Sequence, residues 1–446
     1  MASTYLTRTL GAATNRKKFT LSVWFKRSKI DQQYIWQSFY SSNFGYRFGI
    51  YFNSDDTLHF KGVDGGSTHT FFGTNRKFRD TSGWYHLYVG VDSTQATEAD
   101  RFKIYINGVQ ETSFSSSTYP NQNRDFALGV DGSINYLLYI GRYGNSSQNY
   151  FDGSMSHFHY VDGSVIAHTQ FGSTDSTTGE WKINTSPTIS SYGTAGFLIL
   201  KDGMTITDQS PNSNNLTVGA GTLTKTEDCP SNVFATLNPL STMIGGSYTF
   251  TNGNTTSEQD ISRGAISTLG MTSGKFYAEA KFISTSGTNC IIGICGINNT
   301  SNQNPGFVAS GYIYDQDGTK GNNDSNSSFG NTYTTGDIIG IAVDLDNLKI
   351  YFSKNGTWQN SGDPTSGSTG TGAAYTISAA SSTPDGAYFF AWSDIHSTAK
   401  TSWNFGNGYF GTTAVSSAGT NASGNGIFEY DVPAGYTALS TKGLNL

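Results

Sequence analysis

Carboxylates have the widest chemical repertoire in this chain, and few of them are glutamates. Seven Glu occur: Glu98, Glu111, Glu180, Glu227, Glu258, Glu279 and Glu429. Glycoside hydrolysis needs two carboxyl groups facing one groove, one to protonate the leaving oxygen and one to attack or to activate water. Glu279, in the stretch FYAEAKF, has no acidic residue two or five positions away. No serine-nucleophile signature is present, and the seven His include no His-x-x-x-His pair for zinc. Asp315, Asp317 and Asp324, in YDQDGTKGNND, imitate the start of a helix-flanked calcium loop. Its twelfth position, which needs a bidentate Glu, is Asn326, and no helical pattern flanks it. That stretch reads as a polar hairpin.

Sugar binding asks for something the chain has in quantity. Aromatic rings cover the C–H faces of a pyranose, and amides, carboxylates or guanidinium groups fix its hydroxyls. Tyr143, Asn145, Asn149 and Tyr150 combine both types in one loop, and Tyr119 and Arg124 combine them in another. The same tyrosines would serve equally well as covers for the ends of a β-sandwich. Trp24, Trp84 and Trp403 lie inside strand patterns and read as core.

Strands position these loops. In GDIIGIAVDLDNLKIYFSKNGTW (336–358), Ile339, Ile341 and Val343 alternate with Ile338, Gly340 and Ala342, the period of a strand. Asp344–Asn347 supply a turn. Ile350 and Phe352 resume the alternation against Lys349, Tyr351 and Ser353, and Asn355-Gly356 offers a tight hairpin turn. The same grammar occurs in GWYHLYVGVD (83–92) and DRFKIYINGV (100–109), which ends in Asn107-Gly108. Further strand patterns fall at 19–25, 46–52, 57–62, 69–73, 136–142, 155–161, 197–203, 275–283, 289–297, 311–315, 387–394 and 400–406. No helix longer than about two turns is expected.

A chain of 446 residues exceeds one ordinary core. Pairing-breakers at Cys229-Pro230, Asn238-Pro239 and Gly245-Gly246 place a boundary near 240, giving domains 1–240 and 241–446. The final segment, IFEYDVPAGYTALSTKGLNL, carries enough apolar residues to pack back on the body. Only 13% of residues are charged, against about 25% in ordinary soluble domains, so Gly, Ser, Thr and Asn must carry the polar surface. Twenty-six Tyr and 29 Phe argue against disorder. A net charge of −6 offers no basic field for nucleic acid. Cys290 and Cys295, five apart, point to opposite faces of one strand and cannot bridge, and no apolar run reaches the length of a membrane span. The first residues lack the apolar stretch of a leader, so export by the secretory route is not expected.

These stretches support a family statement. Residues 5–240 resemble a laminin-G-like, concanavalin-type lectin domain through SVWFKRS, WYHLYVGVD, FKIYINGV and YIGR…YFDGSMSHFHYVDG. Residues 246–410 resemble a SPRY domain through GKFYAEAKF, CIIGICG, the 336–356 meander and WNFG. The resemblance implies an all-β chain of two consecutive antiparallel jelly-roll sandwiches. In laminin-G-like domains a rim Asp often holds calcium, which implies Asp152, joined by Asp131 or Asp92, as ligands of a Ca2+ cofactor; no other cofactor is implied. SPRY domains bind peptides through loops and an apolar-Trp-small segment, which implies Trp392 and Ser393 with Tyr312 and Tyr314 as a protein-binding set. Concanavalin-like glucanases carry Glu-x-Asp-x-x-Glu, but Glu98-x-Asp100 leads to Lys103 and Glu258-x-Asp260 leads to Arg263.

The domain order and the VPAGYTALSTKGL tail resemble virion structural proteins of tailed bacteriophages, marine ones in particular. The resemblance implies a non-enzymatic protein on the virion surface, assembled in the host cytoplasm, as tail fibre, head fibre or capsid decoration. Expected partners are other virion proteins, a host-surface glycan and further copies of the chain, with no nucleic acid and no membrane insertion. A polysaccharide depolymerase and a purely structural cement are the alternatives.

Overall fold

The computed structural model describes residues 3–131, 134–241, 248–259, 263–285, 290–297, 304–394 and 399–445. Among them no α-helix occurs; antiparallel strands are joined by turns and three-residue 3-10 segments. Two compact units divide the chain, Met1–Lys225 and Thr226–Leu446. The boundary therefore falls before the expected 240, and the reason is local. Residues 229–240 pair within the second unit: Phe234 bridges Ser440, Leu237 bridges Ser267, and Ala235 N–H donates to Leu439 O at 2.9 Å. The pairing-breakers mark turns inside that segment, not a linker.

In the first unit a nine-stranded sheet follows the path Phe114–Thr118, Ser67–Lys77, Thr57–Asp64, Arg47–Phe52, Gln33–Tyr40, Ile134–Ile140, Tyr5–Thr9 and Thr217–Ala220, with Val130–Asp131 beside it. A six-stranded sheet runs Phe197–Ile199, Gly153–Asp162, Lys18–Arg27, Tyr85–Asp92, Phe102–Ile106 and Val109–Gln110. Alternate residues meet between the sheets: Phe48, Ile50, Phe52, Leu58 and Phe60 from one, Leu21, Val23, Phe25, Leu87 and Val89 from the other. Each is buried, and each contributes about 1.5–3 kcal/mol of transfer free energy.

The second unit repeats the plan with the sheets exchanged. Its meander, Ile338–Asp344 and Lys349–Lys354, sits in a nine-stranded sheet beside Lys275–Ser284, whereas its counterpart in the first unit belongs to the six-stranded sheet. Ile339, Ile341, Val343, Ile350 and Phe352 face the core, as the alternation requires. Their neighbours Ala342 and Tyr351 are buried too, against Phe428, Val432, Tyr436 and Ala438 of the C-terminal segment. The tail packs back as expected, and Thr437–Ala438 pairs in parallel with Phe276 and Tyr277.

Gln33–Tyr40 carries no alternation signal, because a bulge between Tyr34 and Trp36 puts the consecutive Ile35 and Trp36 both in the core. Cys290 and Cys295 belong to different apolar clusters on the two faces of their strand, and none of the three cysteines forms a disulfide.

The two Asn-Gly turns are built alike. Asn107 (φ 50°) and Gly108 (φ 75°) in one unit, and Asn355 (φ 48°) and Gly356 (φ 80°) in the other, take the left-handed conformations of a tight hairpin. Each Asn then reaches back to the neighbouring strand. Asn107 N–H donates to His86 O at 2.9 Å and its Oδ1 accepts His86 N–H at 2.7 Å. Asn355 does the same to Ile338, at 2.8 Å in both directions. Asn107→Ala or Asn355→Ala forces alanine into a left-handed conformation and leaves a strand N–H without its acceptor. The expected loss is about 2–3 kcal/mol in the transition of the unit that carries the change, read by denaturant unfolding of the full chain. Unchanged transitions in both variants would refute the clamp.

Candidate functional site

The aromatic loop Tyr143–Tyr150 follows the strand Ile134–Ile140 and folds over the outer face of the nine-stranded sheet. Period-two alternation sends Tyr139 outward while Leu138 and Ile140 enter the core. Arg142 extends over this face. Its guanidinium lies 4.7 Å from the Tyr5 ring, 5.0 Å from Tyr139 and 5.8 Å from Tyr150, a cation held over three aromatic faces. Tyr143 packs at 4.9 Å on Tyr34 and 5.4 Å on Phe44, and Tyr34 stacks at 4.7 Å on Tyr51. Tyr5, Phe44, Tyr51, Tyr139, Tyr143 and Tyr150 are half-buried and Asn145 is exposed. Asn149 holds the loop in place: it takes φ 54°, its O accepts Tyr34 N–H at 3.1 Å, and its Nδ2 donates to Gln32 Oε1 at 3.1 Å. The expected set Tyr143, Asn145, Asn149 and Tyr150 thus comes together, with Asn149 as positioning residue. Sequence reasoning missed Arg142, Tyr5, Tyr34, Tyr51 and Phe44, whose only signal is the outward phase of their strands or turns.

The other expected pair separates. Tyr119 sets its ring edge-on to Phe72 at 4.8 Å and closes the core. Arg124 instead lines a cleft of about 300 Å³ beside Asp64. This cleft lies where the turns Tyr40–Arg47 and Asp64–Ser67 meet residues 121–127. The 141–150 loop is tied to Tyr34 at one end of the strand Gln33–Tyr40 and reaches Phe44 in the turn after its other end.

Of the expected calcium ligands, Asp92 does not join Asp152. Asp92 lies opposite Lys18 and Gly153 opposite Arg27, at the two ends of the strand Lys18–Arg27, about 30 Å apart at 3.3 Å per residue. The Asp92 carboxylate is occupied by Thr94, Gln95 and Lys18, with Lys18 Nζ at 3.1 Å. Burial works against its charge, but these donors outweigh burial and hold its pKa below the usual value. Asp152 is pushed the other way, upward by burial, and the side chain of Asp131 lies outside the described residues. No group of three or more His, Cys, Asp or Glu placed to hold a metal exists among the described residues.

The expected protein-binding set is buried. Trp392 and Ser393 are 0% exposed and Tyr314 is 0% exposed, while Tyr312 reaches 5%. Core-facing phase decides this for three of them: Trp392, Tyr312 and Tyr314 belong to the main apolar cluster of the second unit. They present no face to a partner.

Three groups with a catalytic repertoire have structural work instead. His86 is fully buried between Trp24, stacked at 4.9 Å, and Trp181. Trp181 Nε1–H donates to His86 Nδ1 at 3.0 Å, which leaves the proton on Nε2, 2.8 Å from Ser22 Oγ. In that tautomer Nε2 donates to the serine and cannot take its proton. Glu279 is 0% exposed, and its carboxylate accepts from Glu429 N–H and Tyr430 N–H at 2.9 Å, Tyr277 O–H at 3.1 Å and Asn404 Nδ2 at 3.3 Å. Asp315, 3% exposed, ends the strand Gly311–Asp315, its O accepting Gly318 N–H at 3.0 Å, and the polar hairpin that follows turns at Asn323-Asp324 with both φ positive. Of the glucanase-like positions, Glu98 and Asp100 sit on an exposed 3-10 turn with Asp100 paired to Lys103 at 2.8 Å. Glu258 pairs with Lys400 at 3.3 Å, and Asp260 lies outside the described residues.

Comparison with known proteins fits this architecture. Residues 2–167 match a laminin-G-type model described as the concanavalin A-like lectin/glucanases superfamily, and residues 275–378 match the SPRY domain. A search of curated proteins returned no match. Among solved structures, a heptameric SAP-like pentraxin from Limulus polyphemus is 18% identical, over 37% of this chain and 71% of that one, with a TM-score of 0.27. The SPRY domain of human HERC1 is 14% identical, over 33% and 87%, at 0.27, and stonustoxin is 15% identical, over 40% and 27%, at 0.29.

The buried titrating groups give the two units opposite responses to acid. Burial lowers His86 to about 3 and His69 and His157 to about 4, and takes His159 well below its usual value. Their unfolded value is 6.5, so the unfolded first unit binds protons that the folded unit refuses. Its stability is complete above 6.5 and is lost as pH falls toward 4. In the second unit burial raises Glu279 to about 7 against its four donors, and burial with Asp317 raises Asp315 to about 7. These carboxyls are protonated in the folded state before the unfolded one, so stability rises as pH falls from about 7 toward 4.5. The slope is about 1.4 kcal/mol per pH unit for each fully buried group. Calorimetry of the full chain from pH 7.5 to 5 should show one transition falling and one rising, with Glu279→Gln flattening the rise. Two transitions moving together would contradict the assignment.

The chain therefore carries a laminin-G-type domain of the concanavalin A-like lectin/glucanase superfamily followed by a SPRY domain.

Proposed function

We propose that the chain is a non-enzymatic adhesion protein whose first unit holds a host-surface glycan. The observation that carries this reading is the tyrosine surface locked by Arg142. Ring edges, phenol hydroxyls, guanidinium N–H groups and the exposed Asn145 amide converge there on a loop fixed by Asn149. Fixed aromatic and hydrogen-bonding groups bind without ordering a mobile loop, which lowers the cost of association. Domain order and the C-terminal motif support a setting on a bacteriophage particle, as fibre or decoration, in several copies and in contact with other virion proteins.

A polysaccharide depolymerase is the less favoured reading. Glu279, central in its strand, spends its carboxylate on the C-terminal backbone, and Glu98, Asp100 and Glu258 lie on exposed surfaces with Asp100 and Glu258 in ion pairs.

A glycan array and a whole-cell binding assay with the purified chain test the proposal. Tyr143→Ala and Tyr150→Ala should each weaken binding at least tenfold with the thermal transitions unmoved. Tight binding to purified capsids with none to glycans or host cells would leave only decoration. Release of new reducing ends from host polysaccharide would establish the depolymerase instead, and absence of antibody label on intact particles would remove the virion setting.

A further inference from the structure

The segment that covers the six-stranded sheet of the first unit is attached at few points. Residues 164–191 run between Gly163 (φ 81°) and Gly193 (φ 68°), two glycines in left-handed conformations. The ends of the segment are joined at Asp162, whose N–H donates to Tyr192 O at 2.9 Å and whose Oδ2 accepts Ala195 N–H at 3.1 Å. Between those ends only Phe171 and Gly172 are buried. The strands Gly172–Thr174 and Trp181–Ile183 form a sheet of their own. Asp175 closes their turn, accepting Thr177 N–H at 2.9 Å and Thr178 N–H at 2.8 Å. Few buried residues and self-contained hydrogen bonds mark a segment that opens without unfolding what lies beneath it.

A column of rings holds it down. Trp24, His86, Trp181, His168 and Tyr105 stack in succession, with centroids 4.9, 6.0, 6.0 and 4.0 Å apart and no interplanar angle above 26°. Trp24, His86 and Tyr105 belong to the sheet, and Trp181 and His168 to the cover. Phe171 adds an edge contact with His159 at 5.1 Å, and Ile166 N–H donates to Thr20 Oγ1 at 2.8 Å. The hydrogen bond across the column is Trp181 Nε1–H to His86 Nδ1, at 3.0 Å. An indole N–H can only donate, so this bond exists only while Nδ1 keeps its lone pair.

A second proton on His86 would set two donors against each other. The groups around the ring offer no counter-charge. Tyr88 and Tyr105 are neutral, and His159, His168 and Lys26, on the same outer face, are neutral or cationic. On the cover, Asp175 is paired with Lys182 at 2.8 Å and Glu180 is exposed. Burial, and then the charge of His168, lowers His86 to about 3. With the cover lifted, His86 regains a value near ~6.5, so acid favours the open form. Between pH 7.5 and 5 this group alone raises the opening constant about thirtyfold.

We infer that residues 164–191 are an acid-released flap, latched by the Trp181–His86 hydrogen bond, which lifts as a unit while both sandwiches stay folded and uncovers Trp24, Tyr88, Tyr105 and His159. The inference does not rest on the glycan reading.

Exchange of the indole N–H groups, followed by NMR in the full chain labelled with nitrogen-15 tryptophan and corrected for intrinsic rates, tests it. From pH 7.5 to 5 the protection of Trp181 should fall about thirtyfold or more, while Trp36 and Trp403, 0% exposed in the two cores, keep theirs. His86→Asn offers Trp181 an acceptor that does not titrate, and it should cut that fall at least tenfold. Trp181→Phe keeps a ring and removes the donor. Trypsin at pH 7.5 should then cut after Lys182 at least tenfold faster than in the unmodified chain, with both thermal transitions retained. Unchanged protection of Trp181, or loss of Trp36 protection by the same factor, would overturn the flap. A full fall in His86→Asn, or cleavage of Trp181→Phe no faster than normal, would overturn the latch.

Discussion

The Glu279 carboxylate sits on the outer face of a sheet, a place that in most sandwiches faces water. It is fully buried because the chain after Asn404 is laid over it. Two of its four donors are the backbone N–H groups of Glu429 and Tyr430, and a third, Asn404, also holds Ile427 O at 2.9 Å. Phe428, Val432 and Tyr436 then cover Tyr277, Ala342 and Tyr351. An outer face loaded with apolar residues must be covered, and the cover brings backbone polar groups that need partners. The first unit meets the same constraint with other chemistry. Tyr88 O–H donates to Ile166 O at 2.6 Å, His159 Nδ1 meets Tyr192 O–H at 2.8 Å, and Trp181 caps His86, so residues 166–192 lie over the six-stranded sheet. Glu279 in one unit, and His86 and His159 in the other, owe their burial to these two covers.

That constraint explains which parts of the fold could be read from sequence. The meanders were legible because Ile339, Ile341 and Val343 keep one phase and Asn-Gly follows at a fixed distance. Their equivalence of placement was not, since the same grammar serves a six-stranded sheet in one unit and a nine-stranded sheet in the other. Gln33–Tyr40 was hidden by its bulge, which breaks the only periodic signal a strand gives. The domain boundary was displaced because Pro230 and Pro239 interrupt ladders inside the second unit, and a proline in a turn looks the same as one in a linker.

Site residues divide by a different rule. Tyr143, Asn145, Asn149 and Tyr150 could be found together because a loop keeps neighbours in sequence close in space. Arg142 could not be assigned, because its role depends on Tyr5 and Tyr139, brought beside it by strand pairing across the chain. Trp392, Tyr312 and Tyr314 were misplaced by motif. The apolar-Trp-small pattern is also what a core strand looks like, and only register shows that these rings point inward. Asp92 and Asp152 share a residue type and a turn context, but they occupy opposite ends of one strand.

Binding and hydrolysis place different demands on the same fold. Hydrolysis needs a carboxyl group free to exchange a proton with substrate. Glu279 is fully buried beneath the C-terminal segment and His86 has its tautomer fixed by Trp181, so under these covers neither can exchange a proton with an outside group. The groups that remain accessible around Arg142 are aromatic edges, amides and guanidinium N–H groups on a loop fixed by Asn149, and under the proposed function they hold a ligand without reacting with it.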